Sequence, residues 1–384
     1  MLHKPDSITI RPVADKADRK AFLNIPYALY GNDESWNPPL RIERAMQLDA
    51  KHNKLMSAVD AELFLAEQGG KVVGRIAAFT NAMHHETHDP QEGFFGFFDC
   101  IDDESAADTL LRAAEGWLQE KGQARIVGPA QWSVNEEVGL LIDGFEYPNV
   151  LLMGYGKPYY QAHLERNGYT KAVDMLAFQA ALHEGYPRPA MTRRMVALSE
   201  REPRLVFRDL DKSDFKAEVA RAMAIYNDAW ADNWNALPYT PEQVEALASE
   251  LKPLMFKGGF RFAELDGEPI AFGVMLPDLF EAVRDARGRL TPVTVAKALS
   301  RLFGKKIKQA RVPLMGLKRE YHNTKLGLAA VARICEDLFA AGRQRGFTHC
   351  ELSWILEDNH SMIRICEQAS AIPYKTYRMY GKAL

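Results

Sequence analysis

Apolar and polar positions alternate along this chain in two long passages that repeat one plan. A strand-like alternation opens at Ile8 and Ile10, and another opens at Leu205 and Phe207, about 197 residues later. Each runs into a helical stretch that ends near a tyrosine and a Trp-Asn pair: Tyr30 with Trp36 and Asn37, then Tyr226 with Trp234 and Asn235. Each passage next shows two apolar runs separated by a turn pair that tolerates positive φ, Gly69-Gly70 in one and Asp266-Gly267 in the other, which predicts a β-hairpin. The hairpins are again about 197 residues apart. A period near 3.6 then places Leu110, Leu111, Ala114, Trp117 and Leu118 on one helix face, and Val331, Ile334, Cys335, Leu338 and Phe339 on another. Gly122 and Gly346 follow as stop signals, and a strand is predicted after each, at 124–128 and 348–355.

The repeat predicts two tandem α/β units with mixed sheets: 1–182, a linker at 183–204 carrying Pro187, Pro189 and Pro203, and 205–384. A length of 384 residues suits two domains. Two insertions break the match, about 132–154 in the first unit and 280–309 in the second. The formal net charge of -3 gives no general attraction for nucleic acid, and none is expected as a partner. The four cysteines show no CxxC spacing, which points to a reducing compartment. No window approaches the roughly 18 apolar residues of a membrane span, and residues 1–12 hold no apolar stretch of signal-peptide length. A cytoplasmic location is expected.

The order of hairpin, strand, long helix, strand, short helix and strand is similar to the GCN5-related N-acetyltransferase fold. The second unit carries the more specific marks. Residues 314–330 resemble that family's central strand, pyrophosphate loop and following helix; Asn359 resembles its asparagine after the next strand; 374–380 resembles its last strand. Both units together resemble bacterial tandem-domain N-acetyltransferases through Trp36, Asn37, Pro38 and Pro39, through 93–98 and 128–133, and through Asn135, Glu136, 139–145, Tyr159 and Tyr160. The resemblance implies an acyl-coenzyme A co-substrate, with no metal, and an amine acceptor.

It also implies where the coenzyme would bind. Successive backbone N–H groups leading into a helix N-terminus form an anion site. The family's loop, Arg/Gln-x-x-Gly-x-Gly/Ala, is only partly kept here. In one register His322 takes the first position and Lys325 the first glycine; in another, 324–329 fits better on glycine. The expected coenzyme contacts are therefore His322, Thr324, Lys325, Gly327, Leu328, Ala329 and Asn359, with an oxyanion donor near Leu317 or Lys318. Close backbone approach predicts that a bulky residue at Gly327 weakens coenzyme binding. The equivalent turn in the first unit, 99–108, has no glycine and several carboxylates, which repel a pyrophosphate. One coenzyme site per chain is expected, in the second unit. Where the family often has a tyrosine acid, this chain has Cys366. Cys366 is either that acid or a small buried residue. Glu320, Glu351 and Glu357 are the candidate bases.

Other features have two readings each. His84, His85 and His88 lie in a polar stretch and read better as a solvated loop than as a metal site. The aromatic run at 94–98 reads as a strand buried on both faces, or as a wall for an acyl chain. The glycine-rich segment 133–160 is long for a connection. It predicts an acceptor pocket using Asn135, Glu136, Tyr159 and Tyr160, for an amphipathic acceptor larger than a free amino acid. At 293–309, Val295, Leu299, Leu302 and Phe303 sit among Lys297, Arg301, Lys305, Lys306 and Lys308. Such a segment either covers a cleft or meets an anionic membrane surface or lipid-like ligand. Two rival functions fit the same architecture: transfer from aminoacyl-tRNA, and non-catalytic binding of coenzyme or lipid.

Overall fold

The computed structural model describes residues 7–384. The expectation of no leader falls partly on residues 1–6, which lie outside the described residues. By compactness the chain divides into two units. The first comprises 1–175, 283–294 and 375–384; the second comprises 176–282 and 295–374.

The first unit opens with β1 (Thr9–Pro12), α1 (Lys16–Leu29), α2 (Arg41–Gln47), β2 (Val59–Gln68) and β3 (Lys71–Asn81). Asp15 starts α1 by accepting the Asp18 N–H at 2.8 Å, a side-chain cap of the usual kind. Between β2 and β3 both Gly69 (φ 55°) and Gly70 (φ 74°) are left-handed, as a two-residue primed turn requires. Then come α3 (Ala82–Thr87), β4 (Glu92–Cys100), α4 (Glu104–Glu120), β5 (Arg125–Gly128), β6 (Ala130–Gln131), β7 (Ser133–Val138), β8 (Leu140–Asp143), α5 (Tyr159–Arg166) and β9 (Thr170–Ala181). The face predicted for α4 is the buried one: Leu110, Leu111, Ala114 and Leu118 are inaccessible. β4 is buried along its whole length, the plainer of the two readings of its aromatic run.

The second unit follows with α6 (Ala190–Arg201), β10 (Leu205–Asp209), α7 (Phe215–Ala229), α8 (Pro241–Leu251), β11 (Phe260–Leu265), β12 (Glu268–Pro277), α9 (Leu279–Val283), α10 (Pro292–Phe303), β13 (Gln309–Leu317), α11 (Lys325–Arg345), β14 (His349–Leu356), α12 (His360–Gln368) and β15 (Ile372–Ala383). Asp266 (φ 53°) and Gly267 (φ 85°) form its primed hairpin turn. Gly346 (φ 100°) ends α11 in the left-handed conformation that glycine adopts at least cost. The stretch expected as a linker is largely ordered structure. α6 packs on α11 and buries Val196, because its apolar positions recur at helical spacing between the prolines.

Strand order in the first unit is β1-β2-β3-β4-β5-β15, and in the second β10-β11-β12-β13-β14-β9. β1–β2, β2–β3, β3–β4, β5–β15, β10–β11, β11–β12 and β12–β13 are antiparallel, while β4–β5 and β13–β14 are parallel. The chain leaves the first unit within β9 and returns to it within β15. Those last residues are firmly held there. Tyr380 pairs with Gly128, Lys375 donates to the Pro148 carbonyl at 2.6 Å, and Arg378 grips Asp174 with bonds of 2.7 and 2.9 Å. Among the described residues no helix is long and apolar enough to cross a membrane.

Candidate active site

In the first unit the parallel pair β4–β5 is short. Glu92, Gly93 and Phe94 pair with Arg125, Ile126 and Val127; then β5 ends at Gly128 while β4 runs on to Cys100. The chain after β5 crosses directly over Gly96, where a Cβ would lie 1.7 Å from the Ala130 carbonyl oxygen, so only glycine fits. A cleft with a free volume of about 90 Å³ opens beside this fork. Its walls include Phe97, Phe98 and Asp99 of β4, Tyr27 of α1 and Tyr30 just after it, Arg44 of α2, Gln131, Glu137 and Tyr160.

Two buried polar groups face the cleft. In the first, Arg75 holds Asp99 through bonds of 2.6 and 2.7 Å and also donates to the Phe22 carbonyl at 3.0 Å. The Tyr30 hydroxyl donates to the same carboxylate and lies 2.9 Å from the Tyr160 hydroxyl, which bonds the Cys100 backbone. Burial, reinforced by the Asp99 charge, pushes the Tyr30 hydroxyl well above its ordinary pKa, so it stays a donor. In the second group Arg44 pairs with Glu137, and Gln131 bonds Glu137 at 3.0 Å and Gln47 at 2.7 Å. Glu136 accepts from Asn53 at 2.8 Å and from Gln47. Burial lifts Glu136 to about 7, against the lowering effect of those two donors. A carboxyl that titrates near neutrality beside fixed donors can take up or release a proton under ordinary conditions.

The second unit repeats the fork. β13 and β14 pair from Gln309 with His349 to Val312 with Leu352 and then part, with Pro313 lacking an N–H for the ladder. Trp230 donates its indole N–H to the Met315 carbonyl at 3.1 Å and meets Trp354 edge to face at 5.5 Å. Glu351 is fully buried and accepts from Ser353 and Tyr374.

No family model matches the sequence. Two curated proteins match over almost the whole chain. Protein YghO of Escherichia coli is 36% identical over 375 residues, 98% of this chain and 95% of that protein. The bacterial ceramide synthase of Caulobacter vibrioides is 37% identical over 378 residues, 98% of each. Among solved structures, a tandem GNAT protein from the clavulanic acid biosynthesis pathway superposes with a TM-score of 0.57 at 12% identity, covering 98% of both chains. A GCN5-related N-acetyltransferase from Sphaerobacter thermophilus gives 0.53 at 12% identity, covering 99% of this chain and 96% of that one. The chain belongs to the family of YghO and the bacterial ceramide synthase, and its fold is that of the tandem GCN5-related N-acetyltransferases. The structural likeness concerns the fold; the sequence relationship joins the chain to YghO and the ceramide synthase along its full length.

Within this relative of YghO and the ceramide synthase the expected coenzyme residues cluster at the start of α11, but several of their groups are already engaged. Thr324 caps α11 and takes the Gly327 N–H at 3.0 Å. A Cβ on Gly327 would lie 2.2 Å from the Tyr321 carbonyl oxygen, so this glycine is needed for the turn itself. The expected Gly327 substitution would therefore disturb the protein before it tested any ligand. Lys318 donates its N–H to the Ile270 carbonyl at 2.9 Å, which removes it as an oxyanion donor. The His322 ring nitrogen lies 2.8 Å from the Leu317 carbonyl. Asn359 caps α12, accepting the Met362 N–H at 3.1 Å. Lys325 and Leu328 are exposed on the first turn of α11, and Ala329 is buried beneath them. Glu320 is exposed and Glu357 half-buried. Cys366 is 1% exposed, and burial pushes its thiol up to about 12. Its burial matches the expectation of a small buried residue.

The first unit gathers the predicted acceptor residues more closely. Tyr160 lines the cleft, Tyr159 bonds the Cys100 carbonyl at 2.8 Å, and Glu136 joins the second polar group. Asn135, beside it on β7, donates its N–H to the Ser133 hydroxyl at 3.0 Å. The histidine stretch is a helical turn rather than a solvated loop: His84 is 1% exposed and packs edge to face on Phe94, because the 94–98 strand needs a cover. Sequence reasoning missed Tyr30, Arg44, Arg75, Asp99 and Glu137. The available signal was a charge inside an apolar strand, Arg75 between Gly74 and Ile76, and a second, Asp99, closing an aromatic run.

Proposed function

We propose that this chain is an N-acyltransferase that moves an acyl group from a coenzyme A thioester to a lipid-like amine by direct transfer. The observation that carries the reading is the 37% identity, end to end, with a protein named bacterial ceramide synthase. A ceramide is the amide of a long-chain amino alcohol. In the step proposed here the amine nitrogen attacks the thioester carbonyl, a C–N bond forms, the C–S bond breaks, and the coenzyme leaves as its thiol. The amine must shed a proton. The Glu136–Glu137 pair is the proposed acceptor, since Glu137 lines the cleft and Glu136 titrates near neutrality. Asp99, Tyr30 and Tyr160 would orient the amine's polar head.

Direct transfer is supported by the cysteines. All four are buried and all four thiols are raised by desolvation, so no ready thiolate offers itself for a covalent acyl intermediate. The thioester's phosphates are assigned to the start of α11, beside the exposed Lys325. The first unit's counterpart, the start of α4, carries the exposed acids Asp102 and Glu104.

The test is a chain-length series of amines and acyl thioesters, with amide read by mass spectrometry and released thiol by a thiol reagent. Long-chain amines should give amide and thiol in equal amounts. Lys325→Glu should raise KM for the thioester alone, and Glu137→Gln should lower kcat. No thiol release above hydrolysis with any pair would sink the reading. A tightly retained coenzyme without turnover would favour the binding-protein alternative.

A further inference from the structure

The insertion of the second unit ends in a helix that is amphipathic the wrong way round. In α10 the positions turned inward are Thr294, Ala298, Arg301 and Leu302, all only half-buried, and none of its residues is buried. The opposite face carries Pro292, Val295, Ala296, Leu299 and Phe303 at helical spacing. Phe303 is 70% exposed, Val293 64% and Leu299 48%. These are among the most exposed large apolar side chains described in the protein, and Leu299 and Phe303 lie one turn apart on the same face. The helix is held in this orientation. Arg301 donates to the Ala282 carbonyl at 3.1 Å, the Leu302 carbonyl accepts from Arg345, and Ile307 just beyond is buried. Glu281 half-buried beneath is engaged by the Lys308 and Gln309 N–H groups at 2.8 Å each.

The charge around this face is equally lopsided. Residues 295–308 hold five basic side chains and no acid, in a chain whose net charge is -3. Lys297, Lys305, Lys306 and Lys308 are exposed. The contacts of Lys305 and Lys308 are with carbonyl oxygens, and that of Lys306 is with the Ser300 hydroxyl; these leave the positive charges standing. We infer that α10 docks the protein on the surface of a bilayer containing anionic lipids, with Val295, Leu299 and Phe303 entering the acyl boundary and the lysines meeting the headgroups. A twelve-residue helix is about 18 Å long. It is too short to span the roughly 30 Å hydrocarbon layer and of a size to lie in the interface. A second copy of the chain is a poor occupant, since a two-fold contact would set two strongly basic patches against each other.

The test uses the full chain with vesicles of phosphatidylcholine alone and of phosphatidylcholine with phosphatidylglycerol, and needs no acyl-transfer activity. The protein should float with the anionic vesicles, less so in high salt, and hardly with the neutral ones. Lys305→Glu with Lys306→Glu should weaken that partition by about tenfold or more. Leu299→Ser with Phe303→Ser should abolish most of it, at an unchanged melting temperature. No flotation with anionic vesicles overturns the inference. So does flotation indifferent to both pairs, or a change in sedimentation coefficient in place of a change in flotation, which would mean that the face pairs with protein. The lysine pair is fully exposed and keeps the test valid if the apolar pair disturbs folding.

Discussion

Glu136 shows how a single side chain reports its surroundings. Its ordinary pKa of 4.5 is lifted to about 7, chiefly by burial. Between those values the folded protein keeps a proton that the unfolded chain releases. The folded state therefore loses ground as pH rises through this window, and the loss is complete above about 7. Glu136→Gln should remove that slope. Relative to the parent, the variant should gain melting temperature between pH 5 and 8, by a few degrees at most because the side chain is partly exposed. An identical slope in both proteins would mean that Glu136 is ionised throughout. The sequence displayed Asn135 and Glu136 as candidates because they sit in an over-long, glycine-rich segment. It could not display Tyr30 or Asp99, whose significance comes from a meeting of residues 69 apart in sequence.

At the scale of elements, α2 is short, seven residues, and contributes no buried apolar side chain. Polar contacts hold it. Arg44 reaches Glu137 and Gln131 across the β6–β7 hairpin, with both ends of the ion pair little exposed, at 15% and 9%. Removing one partner of such a pair leaves a buried charge without compensation. Arg44→Met should cost about 3–5 kcal/mol in chemical denaturation, and adding Glu137→Gln should restore part of that loss. If the double variant is no better than the single, the contribution of Arg44 is packing. Elements fixed by local pattern were legible beforehand: both hairpin turns, the buried face of α4, and the glycine stop of α11. α2 was not, because an Arg-rich heptapeptide has no apolar period to read. The histidine turn was misread because its burial depends on Phe94, ten residues further on. The coenzyme loop was legible as a place but not in detail, since capping by Thr324 and the approach of Tyr321 to Gly327 are matters of distance.

For the whole molecule, the repeat in the sequence suggested two units in succession, yet the last ten residues belong with the first unit. They bring Arg378 to Asp174, Lys382 to Glu115 at 2.7 Å, and β15 to β5. A chain ending at Tyr374 should therefore lose the first unit while keeping much of the second. Limited proteolysis should show cleavage concentrated before residue 175, and the Trp132 environment should become solvent-like in fluorescence. A separately added peptide covering 372–384 should restore protection. Unaltered proteolysis of the truncated chain would show that β15 is dispensable.

The position of β15, about two hundred residues after Met175, also fixes an order of events during synthesis. Everything up to Met175 emerges from the ribosome with an edge of its sheet unfilled, and about two hundred further residues must be made before the missing strand exists. At elongation rates of roughly 5–20 residues per second, that is a wait on the order of 10–40 s. Throughout it β5 exposes an open hydrogen-bonding edge, the kind of surface that chaperones hold and that neighbouring nascent chains can capture. A message broken before β15 would yield a product that never closes that edge, and the cell would meet it as unfolded protein rather than as a slightly shortened enzyme.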